Sequence, residues 1–170
     1  MTQAPGDFRL LGSLRAVDGA CIVRLEDRFD TDVEDLWSAL SDPPRLARWL
    51  GEVAGDLRPG GEFRARYFAS GWEGTGHVHI CEAPQRLLIA TKAEGEPDVV
   101  VELTLTADGD QTILVIEHRG VPLDTIAAYG AGNQIHLEDL AAFLAGGEPC
   151  DAPSRWQALH PLYQDLIVAP

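Results

Sequence analysis

Leu57-Arg58-Pro59-Gly60-Gly61-Glu62-Phe63 decides how this chain is read. Proline fixes one φ and the two glycines permit φ > 0, so the chain can reverse tightly there. The turn drops straight into an alternating run in which Phe63, Ala65 and Tyr67 oppose Arg64 and Arg66. Such alternation marks a strand with one dry face and one wet face. With its flanks, the turn marks the entry to a curved antiparallel sheet that a helix can close over, an architecture that tends to enclose a cavity.

Upstream, Leu10 to Ala16 and Cys21 to Phe29 alternate and are joined around Asp18-Gly19, a two-residue hairpin signal. Thr31-Asp32-Val33-Glu34 reads as a capping box in which Thr31 caps and Glu34 reaches back. The helix it opens carries Val33, Leu36, Trp37 and Leu40 on one face. Asp42-Pro43 starts a second short helix, with proline where its missing N–H costs nothing and with Leu46, Trp49 and Leu50 as the apolar side. Trp37 and Trp49 are therefore expected in the core, away from any ligand.

Downstream, strands are predicted at 62–68, 74–82, 86–92, 99–107 and 111–118. Ala83-Pro84-Gln85 and Asp108-Gly109-Asp110 are tight connections, and short connections imply antiparallel neighbours. Val99, Val101, Leu103 and Leu105 form a dry face, and Leu114, Ile116 and His118 share a face in the same way. From Asp124 the period becomes helical, with Ile126, Gly130, Asn133, Leu137, Leu140, Ala141 and Leu144 as a stripe that Gly146-Gly147 stops. A break or kink near Gly130 and Gly132 is allowed. The fold class is α+β, and residues 1–170 read as a single domain. Its core spans about 10–146, and 147–170 is a C-terminal appendage able to pack back through Trp156, Leu159, Leu162 and Tyr163.

Charge and cysteine usage exclude several functions. A net charge of −14 repels phosphate backbones and no basic patch offsets it, so nucleic acid is not an expected partner. No apolar run is long enough to span a bilayer, and Met1 to Asp7 shows neither the basic start nor the apolar stretch of a signal peptide. The cytoplasm is the expected location. Three cysteines, Cys21, Cys81 and Cys150, are widely spaced and form no C-x-x-C pair, which argues against a disulfide framework or structural zinc. His77 and His79 lie two apart on a strand and can share a face. Val78 and Ile80 read as the core-facing set, which turns the histidines outward, and no third ligand is assignable. No metal and no cofactor is expected.

The order of elements and several strings together resemble a known superfamily. They are Val33-Glu34-Asp35-Leu36-Trp37-Ser38-Ala39-Leu40-Ser41-Asp42-Pro43, Leu46-Ala47-Arg48-Trp49-Leu50, Arg58-Pro59-Gly60-Gly61, Glu82-Ala83-Pro84-Gln85-Arg86-Leu87, Glu117-His118-Arg119-Gly120, Tyr129-Gly130-Ala131-Gly132 and His136-Leu137-Glu138-Asp139-Leu140. The chain resembles the SRPBCC superfamily of START-like and birch-pollen-allergen-like helix-grip folds. Within it, the chain is most similar to the bacterial proteins grouped with the activator of the heat-shock-90 ATPase. The resemblance implies a curved antiparallel sheet gripping a long C-terminal helix, with two short helices after the first strands and an apolar cavity between sheet and long helix. It implies no single chemistry. Where many relatives carry Gly-Trp on the long helix, this chain has Gly132-Asn133, which enlarges the expected cavity and adds an amide to it.

The cavity candidates are Phe63, Tyr67, Trp72, Val101, Leu103, Ile116, His118, Ile126, Tyr129, Asn133 and Leu137. Tyr67 and Tyr129 offer hydroxyls, and Phe63 and Trp72 offer apolar walls. His118 ends an inner strand face, and as general acid or base its ordinary pKa of about 6.5 would suit proton transfer. His136, one turn past Asn133, is expected to face solvent or an edge. Asn133 sits where an apolar residue is expected. A buried amide needs a partner, so it should bond another side chain, a trapped water or a ligand, with His118 and Tyr129 as polar company. No Ser-His-Asp spacing, phosphate loop or nucleophile elbow occurs, and no residue is assigned as catalytic.

Binding of a small hydrophobic molecule ranks first. A cyclase- or lyase-type enzyme using the same cavity and a cochaperone-like module that meets a chaperone are the alternatives, and a homodimer stays open.

Overall fold

The computed structural model describes residues 10–17 and 20–167. The Met1–Asp7 segment, the Asp18-Gly19 connection and the last three residues of the tail lie outside them. Among the described residues, eight strands form one fully antiparallel sheet. They are β1 (Gly12–Val17), β2 (Ala20–Phe29), β3 (Gly51–Gly55), β4 (Glu62–Tyr67), β5 (Glu73–Glu82), β6 (Arg86–Lys92), β7 (Val99–Asp108) and β8 (Gln111–Val121). Their order across the sheet is β1-β2-β8-β7-β6-β5-β4-β3. Helices α1 (Val33–Ser41) and α2 (Pro43–Trp49) fill the crossing from β2 to β3. After β8, one 3-10 turn (Leu123–Thr125) leads into α3 (Ile126–Leu144), and α4 (Ala152–Ile167) follows. The α+β helix-grip architecture is the one expected.

The Pro-Gly-Gly turn is pinned as well as tight. Gly60 N–H donates to the Val78 carbonyl at 2.7 Å, and Val78 N–H donates back to Gly61 at 2.9 Å. Gly60 adopts φ +85. Gly61 is needed for space, because a Cβ there would lie 2.3 Å from the Asp56 carbonyl oxygen.

Strand β3, between α2 and the turn, is absent from the sequence reading. It is a five-residue edge strand with glycine at both ends and too little alternation to signal itself. The start of α1 also differs by one residue. Asp32, not Thr31, is the N-cap and accepts from Asp35 N–H at 2.8 Å. Thr31 instead donates its hydroxyl to the Asp35 carboxylate at 2.6 Å. Glu34 is exposed, so no capping box closes. Helix α2 begins at Pro43 as its sequence implies, and Trp49 donates Nε1–H to the Ala39 carbonyl at 3.0 Å, binding the two short helices together.

A shift in register between Val78 and Ile80 changes which residues of β5 face inward. Val78 opposes Ile89, but beyond the shift Cys81 opposes Leu87, so Cys81 takes the inner face and Ile80 leaves it. The expectation that Val78 and Ile80 share a face fails at this bulge, because an extra residue reverses the alternation. His79 is exposed and His77 half-buried, with ring centroids 4.7 Å apart. Among the described residues no three His, Cys, Asp or Glu side chains gather in a way that could hold a metal.

The main core joins β2, β7 and β8 to α1, α2 and α3 through Leu25, Leu36, Leu114, Ile126, Leu137 and Leu140. Helix α3 is unbroken through Gly130 and Gly132, and it is buried on more than the one expected stripe. Ala127, Ala131 and Ile135 are covered by Leu159 and Tyr163 of α4, whereas Ala141 of the expected stripe is exposed. Gly130 permits this, since a Cβ there would come within 2.4 Å of the Tyr163 ring. Tyr163 donates to Gln134 Oε1 at 2.6 Å and accepts from Gly12 N–H at 3.0 Å, and Leu11 N–H reaches the same Gln134 oxygen at 3.0 Å. Glu138 of α3 receives Arg155 of α4 in a two-pronged pair at 2.6 Å. The tail thus contains a 16-residue helix locked onto α3 and β1. No helix among the described residues is long and apolar enough to cross a membrane.

Candidate functional site

Between the concave face of the sheet and α3 lies a cavity of about 640 Å³. Protein interiors close-pack with few voids larger than a water molecule, so a space this large is not a packing defect. It falls within the ~300–1,000 Å³ range of small-molecule pockets. Four groups of residues build it. Inward-facing positions of β4 to β8 supply Phe63, Tyr67, Val78, Leu87, Val101, Leu103, Ile116 and His118. Helix α3 supplies Tyr129, Asn133, His136 and Leu137. Leu46, Trp49 and Leu50 of α2 and its end, with Val53 and Leu57, close one side. Exposed Ser70, Gly71, Glu96 and Pro153 mark its rim, beside Trp72 and Trp156.

The sequence-predicted candidates all line this space except Ile126. Ile126 is buried in the main core at the first turn of α3, one helical turn before Tyr129 and facing away from the void. Trp49 serves both the core and the cavity wall, contrary to the expectation that it touches packing alone. Trp37 packs half-buried against the core and does not line the cavity. His136 is the clearest correction, because it is 8% exposed and faces the cavity, not solvent. Packing against Tyr67 of β4 turns what reads as a helix edge into an interior. Trp156, Leu87, Ile89 and Cys81 also went unassigned. Alternation in β6 could have revealed Leu87 and Ile89, whereas nothing local points to Trp156.

Asn133 donates Nδ2–H to the Tyr129 carbonyl at 2.8 Å, one turn back on its own helix. Its donor therefore finds a backbone partner, where the sequence suggested a side chain, a water or a ligand. Half-buried, it adds an amide to an otherwise apolar roof.

Two imidazoles dominate the polar character of the site. Both ring nitrogens of His118, and Nε2 of His136, are buried without a hydrogen-bond partner. A buried polar group left unsatisfied costs about 1–3 kcal/mol, so three such atoms on one cavity ask for an explanation. His118 contacts the Tyr129 ring edge-on at 6.0 Å between centroids. His136 meets Tyr67 edge-on at 5.1 Å, and Tyr67 stacks on Trp72 at 4.9 Å. Burial, with a smaller contribution from His136, brings the His118 pKa down to about 4, and burial alone brings His136 to about 4. Both imidazoles are neutral at pH 7. Burial, and then neighbouring Tyr129, push Tyr67 up to about 12, and burial followed by Glu96 raises Tyr129. The site therefore offers neutral hydrogen-bonding groups on apolar walls. His118 at such a pKa is a weak base, less suited to proton transfer than an ordinary imidazole.

The sequence matches the model of the family described as Activator of Hsp90 ATPase homolog 1-like protein over residues 30–145. Among solved structures, CalU16 from Micromonospora echinospora superposes with a TM-score of 0.79 at 32% identity, covering 93% of this chain and 96% of that one. DynU16, a protein of the dynemicin biosynthetic locus, gives a TM-score of 0.69 at 29% identity, over 75% of this chain and 48% of that one. The BPP1335 product of Bordetella parapertussis shares 20% identity and a TM-score of 0.71 over 96% of this chain and 94% of that one, a likeness of fold alone. No curated protein matches.

Proposed function

The chain belongs to the Activator of Hsp90 ATPase homolog 1-like family of the SRPBCC superfamily, and from that premise we propose that it binds a small hydrophobic molecule in the cavity between sheet and α3. One observation carries the reading: an apolar space of about 640 Å³ lined by two histidines whose buried ring nitrogens lack partners. An occupant of that shape would cover apolar wall and supply the missing hydrogen bonds at once. Binding is favoured over catalysis because the histidines are poor bases and the buried tyrosines poor acids at pH 7. The place of DynU16 in a biosynthetic locus agrees with a small organic ligand.

Titration with Nile red, an uncharged probe that brightens in apolar surroundings, tests the reading. The parent protein should bind it saturably at one site. Asn133→Trp places an indole in the roof beside Gly132 and Leu137, and should weaken uptake about tenfold or more while preserving the fold by circular dichroism. Absent binding, or equal binding by the parent and a folded Asn133→Trp variant, would overturn it.

A further inference from the structure

We propose that the cavity selects an uncharged ring system carrying a hydroxyl or carbonyl oxygen, which His118 from the sheet and His136 from α3 hold, and that it rejects carboxylates and phosphates. The proposal rests on the cavity-binding reading and specifies its ligand class. Three features lead to it. The first is the set of unpartnered nitrogens, carried by two residues of different elements that both line one space. A neutral imidazole presents one donor and one acceptor, so it can satisfy a hydroxyl in either sense and a carbonyl through its N–H.

The second feature is charge. Among the described residues, no lysine or arginine lines the cavity, and apart from the two histidines the one acidic or basic side chain on its wall is Glu96 at the rim. A carboxylate or phosphate carried inside would leave water without meeting a cation, a heavy desolvation cost. The two imidazoles do not replace that cation at pH 7, since burial keeps both neutral. The net charge of −14 adds a repulsive field for any approaching anion.

The third feature is shape. Trp72 stacked on Tyr67, with His136 set edge-on to the same tyrosine, forms an aromatic wall, and Tyr129 and His118 form a second edge-on pair lining the same space. Flat rings pack on such walls in offset or edge-to-face contact. The oxygen-bearing end of a ring system lying along this wall would then meet the histidines.

A matched set of probes separates the chemistry from the cavity: 1-hydroxypyrene, pyrene and pyrene-1-carboxylate, titrated into the full chain at neutral pH and followed by energy transfer from tryptophan. The hydroxyl compound should bind about tenfold more tightly than either of the other two. His118→Phe and His136→Phe should each erode that hydroxyl preference while leaving pyrene affinity unchanged or higher, and His118→Gln, which keeps a donor and an acceptor, should restore part of it. Thermal melts confirm folding of each variant, and the comparison of probes on the parent protein requires no variant at all. Pyrene binding as tightly as 1-hydroxypyrene, tightest binding by the carboxylate, or an undiminished hydroxyl preference in the folded double phenylalanine variant would each overturn the proposal and leave the cavity reading standing. Failure of all three probes to bind would overturn the cavity reading and this proposal with it.

Discussion

An imidazole that stays neutral in the folded protein, while its unfolded counterpart gains a proton, makes acid a denaturant. His118 and His136 both fall from 6.5 to about 4 in the fold. Below about pH 6.5 the unfolded chain takes up protons that the folded chain refuses. The contribution is therefore complete above that pH and declines as pH falls toward about 4, by up to roughly 3 kcal/mol for each residue. Urea midpoints should drop steeply between about pH 7 and about pH 4.5 in the parent and much less in the His118→Phe/His136→Phe variant. Parallel slopes in the two proteins would show that these imidazoles titrate normally. Asp35, held below the usual carboxyl range chiefly by the Thr31 hydroxyl, and Glu102, held there by Arg86 and then Arg119, act lower on the scale. Their contribution is present above the unfolded carboxyl pKa and is lost as pH falls through the folded one, so a slope remains in both proteins at the acid end. At this scale the sequence was informative about His118, because alternation with Leu114 and Ile116 set its side of the strand. It misplaced His136, whose burial depends on where α3 meets Tyr67 of β4, a contact distant in sequence.

Helices α3 and α4 act as one unit, and their contact sets opposing local and tertiary preferences against each other. Gly130→Ala would improve helix propensity by about 1 kcal/mol. Yet the new methyl would lie 2.4 Å from the Tyr163 ring, which is fully buried and cannot step aside. The variant should melt below the parent, and a raised midpoint would show that α4 does not press on α3 in solution. Tyr163→Phe removes the hydroxyl shared by Gln134 and Gly12 and leaves buried groups short of a partner, with an expected loss of about 1–3 kcal/mol by chemical denaturation. An unchanged midpoint would count against this lock between the tail and β1. The change of period after Pro122 made α3 readable as a helix, and the alternation of β7 and β8 made the sheet readable. Edge strand β3 stayed hidden because two glycines and a single valine give no periodic signal. The capping residue of α1 was missed by one place, since Thr31 and Asp32 both fit the pattern and only the backbone bond to Asp35 distinguishes them.

At the scale of the molecule, a sheet of eight strands curves around α3 and leaves its concave face incompletely filled. The dry positions of β4, β7 and β8 were legible as candidate walls because each strand alternates. The wall built by α2, Val53 and Leu57 was not, since it depends on where two short helices dock. Trp156 was out of reach for the same reason, being brought to the rim by α4. An uncharged hydrophobic molecule entering this space would meet the two buried histidines. Of the five histidines, His118 and His136 line the cavity, while exposed His79 and half-buried His77 and His160 do not. Imidazole nitrogen resonances recorded on 15N-labelled protein during a titration with 1-hydroxypyrene therefore report on that encounter residue by residue. Saturating shifts are expected at His118 and His136, with the other three unmoved. Saturable binding that shifts His77, His79 or His160 and leaves His118 and His136 unchanged would contradict that expectation.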